Sequence, residues 1–388
     1  MNSDFHYYAT YCAAQLAGYS HDESADICYS AQLVDLCSKT FLNKLKAPAA
    51  AATTQLQLEL METRTDILGL QDITRIWSSF HFLPRDLHAE KEKCSKEYRS
   101  KYRLICGPNS ELVTETVRLA KDKGSQAAGV AMHVLADTWA HTYFAGTPSF
   151  VINNTNYHFF EIFPDGDKKI KFRHSASAPD DLDKSLYTSS LMQPSENSIM
   201  NLGHGRAGHL PDYSFIRYRY LPAWGDYDEI IKDNPSDYIH AFAQMVYALQ
   251  YLRGLHDDFE TEVYAWDTIA EKRSEIEEII RKRRLDASDD WKALGESLSG
   301  QIIPDFELDR YNTEYLNAGS ATSDTFIGKF IIAAMAQKSM VTNRIFTSGN
   351  LLAGISIDYI KSGFHGIKDY ARLIEERRKL SDKVSTDR

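Results

Sequence analysis

The segment AMHVLADTWAHTYFAG, residues 131–146, is apolar around most of its circumference, so a chain containing it must bury a helix there. His133, Asp137 and His141 recur on it every four residues. Four residues turn a helix by about 400°, so each step drifts only about 40° and the three side chains share one face. At about 1.5 Å per residue, the outer histidines lie about 12 Å apart along the axis. Zinc ligands sit about 2 Å from the metal, so one ion does not span both. The central carboxylate has two oxygens and reaches either side. Two metals about 3.5–4 Å apart, bridged by a carboxylate, are a recurring device of phosphoryl chemistry. The competing reading is a hydrogen-bonded polar seam between helices. Which holds depends on whether other segments supply ligands.

The remaining sequence is mostly helical in period. Ser3 is placed to cap a first helix ending near Gly18. Ser20 and Glu23 form a capping box that opens a long helix through ADICYSAQLVDLCSKTFLNKL. TTQLQLELMET alternates like a strand. QDITRIWSSFHFLP is helical up to Pro84, and the charged stretch 86–103 is a solvated helix or loop. NSELVTETVRLAKDKG is a capped helix leading into 131–146. Aromatic and β-branched runs flank Asp165-Gly166, a hairpin signal. Residues 175–212 are loop-rich, and helices return over 236–254, 260–284, 325–345 and after 366. The fold class expected is mainly α, a multi-helix bundle with a small β-hairpin element. The division expected is a helical metal-site domain over 1–285, with the hairpin inserted at about 155–175, and a C-terminal helical extension over 286–388.

Other segments do supply candidate ligands, and the case for metal rests on their co-occurrence. Asp4 and His6 stand at the start, Asp35 lies in the apolar QLVDLC, and His81 lies between two phenylalanines. GHGRAGHLPD supplies His204, His209 and Asp212. An unpaired Asp35 on a buried helix face would be costly, which argues for a partner. The donors are imidazole and carboxylate without cysteine, the set that zinc and similar metals take. His21, His88, His158, His174, His240, His256 and His365 have no such neighbourhood and are read as structural or surface groups.

The order of these residues resembles the superfamily of zinc-dependent phospholipases C and single-strand-specific zinc nucleases. The carrying features are an N-terminal His, an Asp on the next helix, a His, then His133-x-x-x-Asp137 on a central helix, then downstream His and acid. The resemblance spans roughly residues 1–215. It implies a helical fold, two or three zinc ions and phosphodiester hydrolysis. Asp35, His81, His133 and Asp137 would hold one zinc, Asp137 and His6 would help hold a second, and His141 with a His and an acid of GHGRAGHLPD would hold a third. Asp35 would be the general base for an activated water. In that superfamily an N-terminal tryptophan ligates zinc through its backbone. Here the chain begins Met-Asn, and Asp4 is the expected replacement. The spacing from Asp137 to His141, and that within the final pair, also depart from the superfamily pattern.

Composition narrows the substrate. Among 388 residues, 43% are hydrophobic and 25% charged, with a net charge of −10, so no extended nucleic-acid footprint is expected. A phospholipid or membrane-surface substrate is the first expectation, cleaved to diacylglycerol and a phosphorylated head group. HYYATY and WAHTYF would suit its apolar mouth, and Arg206 would pair with its phosphate. A zinc nuclease is the alternative, with RYRYLPAW (217–224) as its basic, aromatic stretch. A helical scaffold with a metal-free seam is the third. Cysteines 12, 28, 37, 94 and 106 form no C-x-x-C pair, which fits a reducing compartment. MNSDFHYYAT has no apolar signal core, and no run approaches the ~20 apolar residues of a spanning helix. FIGKFIIAAMA (326–336) reads as a buried helix. The default location is cytoplasmic, with signal-independent secretion as the other route.

Overall fold

The structure is a computed structural model that describes residues 1–56, 59, 67–147, 150–153, 155–173, 179–188, 204–225 and 228–350. The expected helix beyond 366 lies outside these residues.

The chain opens on a π-helix, Asp4–Ala9, that continues into α1, Thr10–Leu16. Ser3 itself makes no side-chain cap; Phe5 and His6 instead donate to the Asn2 carbonyl. The capping box at Ser20 and Glu23 starts α2, His21–Leu33. The expected long helix then breaks. Ser38 accepts from Phe41 N and caps a new helix, α3, Lys39–Lys44, so the chain turns over residues 34–38. A serine that satisfies a fresh helix start competes with continuation of the old one. Asp35 therefore sits in a turn, not on a helix face, which corrects the expectation. The expected strand at 53–63 is absent over its described part: residues 52–56 have no regular structure and Glu59 is helical.

Helix α4, Ile67–Phe80, ends one residue before His81. Helix α5, Lys96–Tyr102, lies in the charged stretch, and α6, Glu111–Ala120, is capped by Ser110. Helix α7, Ser125–Ala140, is buried from Gln126 to its end. It packs directly on α2, and Gly129 permits the approach: a Cβ there would lie 2.3 Å from the Ile27 carbonyl oxygen. This contact puts the His133 ring beside the last turn of α2.

The β element is larger than one hairpin. Strands β1 (Thr155–Glu161), β2 (Lys168–Lys169), β5 (Arg217–Pro222) and β6 (Ile230–Asp233) form an antiparallel sheet in the order β2-β1-β5-β6. The hairpin turns at Gly166, φ +127°, with Phe160 opposite Lys169. A parallel pair, β3 (Lys171–Arg173) and β4 (Leu186–Thr188), stands beside it. Phe159, Tyr218 and Tyr220 build a small aromatic core under the sheet.

Helices α8 (Asn234–Leu252), α9 (Arg273–Arg281), α10 (Ser288–Ser299), α11 (Asp309–Asn317) and α12 (Phe326–Thr347) complete the described chain. Residues from Met1 to Ile345 share one hydrophobic core. Trp291 of α10 stacks on Phe242 of α8 and meets Phe5 edge-on, and α12 packs on α4 and α7. Residues 286–347 thus share the core of the residues that precede them. No helix among the described residues is long and apolar enough to cross a membrane.

Candidate metal centre

Asp137 is the hub. Its side chain is 1% exposed. Oδ1 lies 3.1 Å from His6 Nε2, while Oδ2 lies 3.2 Å from both His81 Nδ1 and His133 Nε2 and 3.6 Å from His141 Nδ1. The row read along α7 is thus one arrangement, with its carboxylate reached from both sides. His141 caps the C-terminal end of α7, and its ring leans on Phe82.

Main-chain carbonyls hold the far side of three rings. His81 Nε2 donates to Thr53 O at 3.0 Å, His133 Nδ1 to Ala31 O at 2.9 Å, and His141 Nδ1 to His81 O at 2.7 Å. A carbonyl only accepts, so the nitrogen facing it carries a proton, and His133 and His141 keep a lone pair on the other nitrogen. For His81, burial opposes a second proton, but the hydrogen bond and charge of Asp137, with Asp35, overcome it and raise its pKa, favouring a proton on Nδ1 as well. His81 Nδ1 and His133 Nε2 are 3.3 Å apart. Asp35 Oδ1 is 3.8 Å from each. Two imidazole nitrogens and two carboxylate oxygens therefore face one small space. A proton on His81 Nδ1 or a bound cation would offset the repulsion among them.

A second group gathers at Asp212. Its Oδ1 is 3.2 Å from His141 Nε2 and 3.3 Å from His204 Nε2. Potential ligand atoms within 4.8 Å of one another form three groups: Asp35, His81 and His133; His6, His133 and Asp137; and His141, His204 and Asp212. The donor chemistry fits zinc or a similar ion, and His6 Nδ1 is buried without a hydrogen-bond partner among the described residues.

The Met1 α-amine is the element sequence reasoning missed. It lies 2.7 Å from Asp137 Oδ1, 3.3 Å from Asp212 Oδ1 and 3.5 Å from His141 Nε2, fully buried. Only the closeness of Met1 to His6 in the order Met-Asn-Ser-Asp-Phe-His hints at it. Asp4, expected to replace a terminal ligand, does not join the cluster. Its carboxylate accepts from Phe5 N at 2.8 Å and Ala287 N at 3.0 Å, pinning the π-helix to the start of α10. A short acid two residues from His6 on a helix points elsewhere, which is the physical reason for the correction.

Of the two glycine-loop histidines, His204 joins the triad on the short turn His204–Ala207. The His209 side chain is 57% exposed and reaches only the outer oxygen of Asp212, at 3.4 Å. Arg206 is buried, and its Nη1 donates to Thr155 O at 2.7 Å, tying that turn to β1. His158, read as a surface group, pairs with Glu229.

The charges follow from burial and neighbours. Burial pushes His6, His133 and His141 down to about 4, so they are neutral near pH 7. Burial alone would raise Asp137 and Asp212. The imidazoles and the Met1 ammonium outweigh it and hold both carboxyls well below their usual range. Burial opposes the Met1 ammonium too, but Asp137, Asp212 and Asp35 raise it to about 11. Neutral imidazoles and ionised carboxylates are the forms that bind a metal.

Residues 1–345 match the model of a family of unknown function, DUF6765. The chain belongs to this family. The match takes in every member of the DUF6765 chain's cluster, from Met1 to Asp212. No curated protein and no solved structure matches the chain.

Proposed function

We propose that the chain is a zinc-dependent phosphodiester hydrolase of phospholipase C type. The observation that carries the reading is the convergence of His81 Nδ1, His133 Nε2, Asp137 Oδ2 and Asp35 Oδ1, with the far nitrogens of both rings donating to main-chain carbonyls. Asp35, His81, His133 and Asp137 would hold one ion. Asp137, His6 and the Met1 nitrogen, once deprotonated, would hold a second, and His141, His204 and Asp212 a third. Bound zinc would offset the anionic charge of a phosphodiester, make a water nucleophilic near neutral pH and stabilise the leaving oxygen.

The protein's own part is positional. Thr53, Ala31 and His81 carbonyls fix the orientation of three imidazoles. Asp35 is 31% exposed, the most open carboxylate of the set, and is placed to accept a proton from an attacking water. Leu36, beside Asp35, and Leu56, just past Thr53, are 42% and 44% exposed. Such exposed apolar side chains, close in sequence to Asp35 and Thr53, would suit a lipid substrate. The stretch RYRYLPAW does not favour a nuclease: Tyr218 and Tyr220 point into the core and Arg219 pairs with Asp167 and Glu229.

The test is phospholipid turnover by zinc-loaded protein above and below the micelle threshold. Turnover that rises on micelles and stops with chelator supports the reading. Zinc-replete, folded protein that leaves phospholipid intact but cuts single-stranded nucleic acid in a salt-sensitive way would replace it with the nuclease.

A further inference from the structure

The alanine-rich stretch APAAAATT, residues 47–54, has no part in the chemistry so far, yet it borders the site. Its last described turn carries Thr53, whose carbonyl accepts from His81 Nε2. Thr53 is also tied to the Asp35 turn: its N donates to Cys37 O at 2.9 Å and its Oγ1 to Val34 O at 2.6 Å. Alanines have no side-chain groups with which to hold such a loop. The carbonyls of Pro48 and Ala49 accept within the loop, but those of Ala50 and Ala52 must be met from outside.

They are met from helix α12. Lys338 Nζ donates to Ala50 O at 2.7 Å and to Ala52 O, and lies 5.8 Å from the centre of the Phe80 ring. The preceding residue, Gln337, is 2% exposed. Its Nε2 donates to Ser79 O at 3.2 Å and to Thr116 Oγ1 at 2.9 Å. Ser79 is in the last turn of α4, where carbonyls lack helical partners, and precedes His81 by two residues. Consecutive residues of one helix therefore grip the loop that orients the His81 ring and the helix end that carries His81.

We propose that Gln337 and Lys338 are positioning residues for His81, and that α12 thereby sets the metal group of Asp35, His81 and His133. This inference rests on the metal reading given above. The lever reaches further through His81, because the His81 carbonyl holds the His141 ring. That second effect is one step more remote and smaller. A side chain about 10–20° out of line weakens a metal site measurably, and loss of an outer partner typically lowers affinity 10–100-fold.

Cobalt(II) titration with chelator competition tests it, because the visible cobalt spectrum reports ligand geometry without turnover. Lys338→Met should weaken one cobalt site by about 10–100-fold, shift its absorption and leave the other ions bound. Lys338→Arg should restore part of the loss. Arg344→Ala, which removes an exposed ion pair with Glu115 farther along the same helix, should change nothing in the spectrum. In a His81→Ala background, Lys338→Met should add no further loss of affinity, which separates positioning from general loosening. Should Lys338→Met fail to fold, Gln337→Leu carries the same test. A folded Lys338→Met chain with wild-type affinity and spectrum would overturn the positioning role alone. A wild-type chain that binds no cobalt would overturn the metal reading and this inference with it.

Discussion

The two halves of the cluster are built differently. In the inner half, His6, His133 and Asp137 are at most 1% exposed and stand on the opening π-helix and on α7, with His133 held by the last turn of α2. In the outer half, His204 and His209 stand on short turns, 23% and 57% exposed, and three imidazoles converge on Asp212 alone. The inner half is preorganised by elements that the core already fixes. The outer half depends on its ligands for its shape. Metal affinity should therefore be strongest and least forgiving around Asp137, and weaker and more exchangeable around Asp212.

Removing the hub should have the largest effect. Asp137→Asn is expected to lose more than one ion per chain and at least about 10²–10³-fold of activity, read by elemental analysis and turnover. In the metal-free chain it also strips the Met1 ammonium of its nearest partner. Breaking such a buried pair typically costs about 3–5 kcal/mol. The low end is expected, since Asp212 stays 3.3 Å away. A folded Asp137→Asn chain with full metal content would remove the bridging role.

The pH dependence of the metal-free chain comes next. His6, His133 and His141 drop from an ordinary 6.5 to about 4 in the fold. Over that window the unfolded chain takes up protons that the folded chain refuses, so stability falls as pH falls. Asp4, raised by burial from 3.8 to about 6, works the other way, as do the raised His81, His209 and Asp35. Asp137 and Asp212, held well below their usual range, add to the loss on acidification. The Met1 ammonium rises from 8.0 to about 11, so stability also falls as pH climbs from 8 to 11. Denaturant titrations should find the maximum near pH 6.5–8. A flat profile from pH 4 to 7 would mean these histidines are not buried as described.

Smaller effects separate the outer ligands. Asp212→Asn should lose one ion and keep the inner ones. His204→Ala should weaken that same ion, whereas His209→Ala should leave metal content unchanged. Equal losses from the two histidine variants would erase the distinction between the triad and its exposed neighbour.

Much of this was legible in the chain. The four-residue spacing on 131–146 showed a shared face, and the Ser20–Glu23 capping box, the cap before Glu111 and the Asp165-Gly166 turn marked elements that the fold contains. What was not legible lies in the main chain. The carbonyls of Ala31, Thr53 and His81 carry no residue signature, and neither does the Met1 amine. Asp4 looked like a ligand by proximity to His6, but a backbone 283 residues away claimed it. Asp35 looked helical because Ser38, the residue that breaks the helix, is polar in a way many helix residues are. Arg206 looked like a phosphate group's partner until a carbonyl of β1 took it.

The most direct test is the metal content of untagged protein by elemental mass spectrometry, after purification without chelator and again after zinc readdition. Two or three ions per chain are predicted, with the Asp137→Asn chain short by more than one. No bound metal under both conditions would make the row His133, Asp137, His141 a polar seam closed by the Met1 ammonium, and the hydrolase reading would be contradicted.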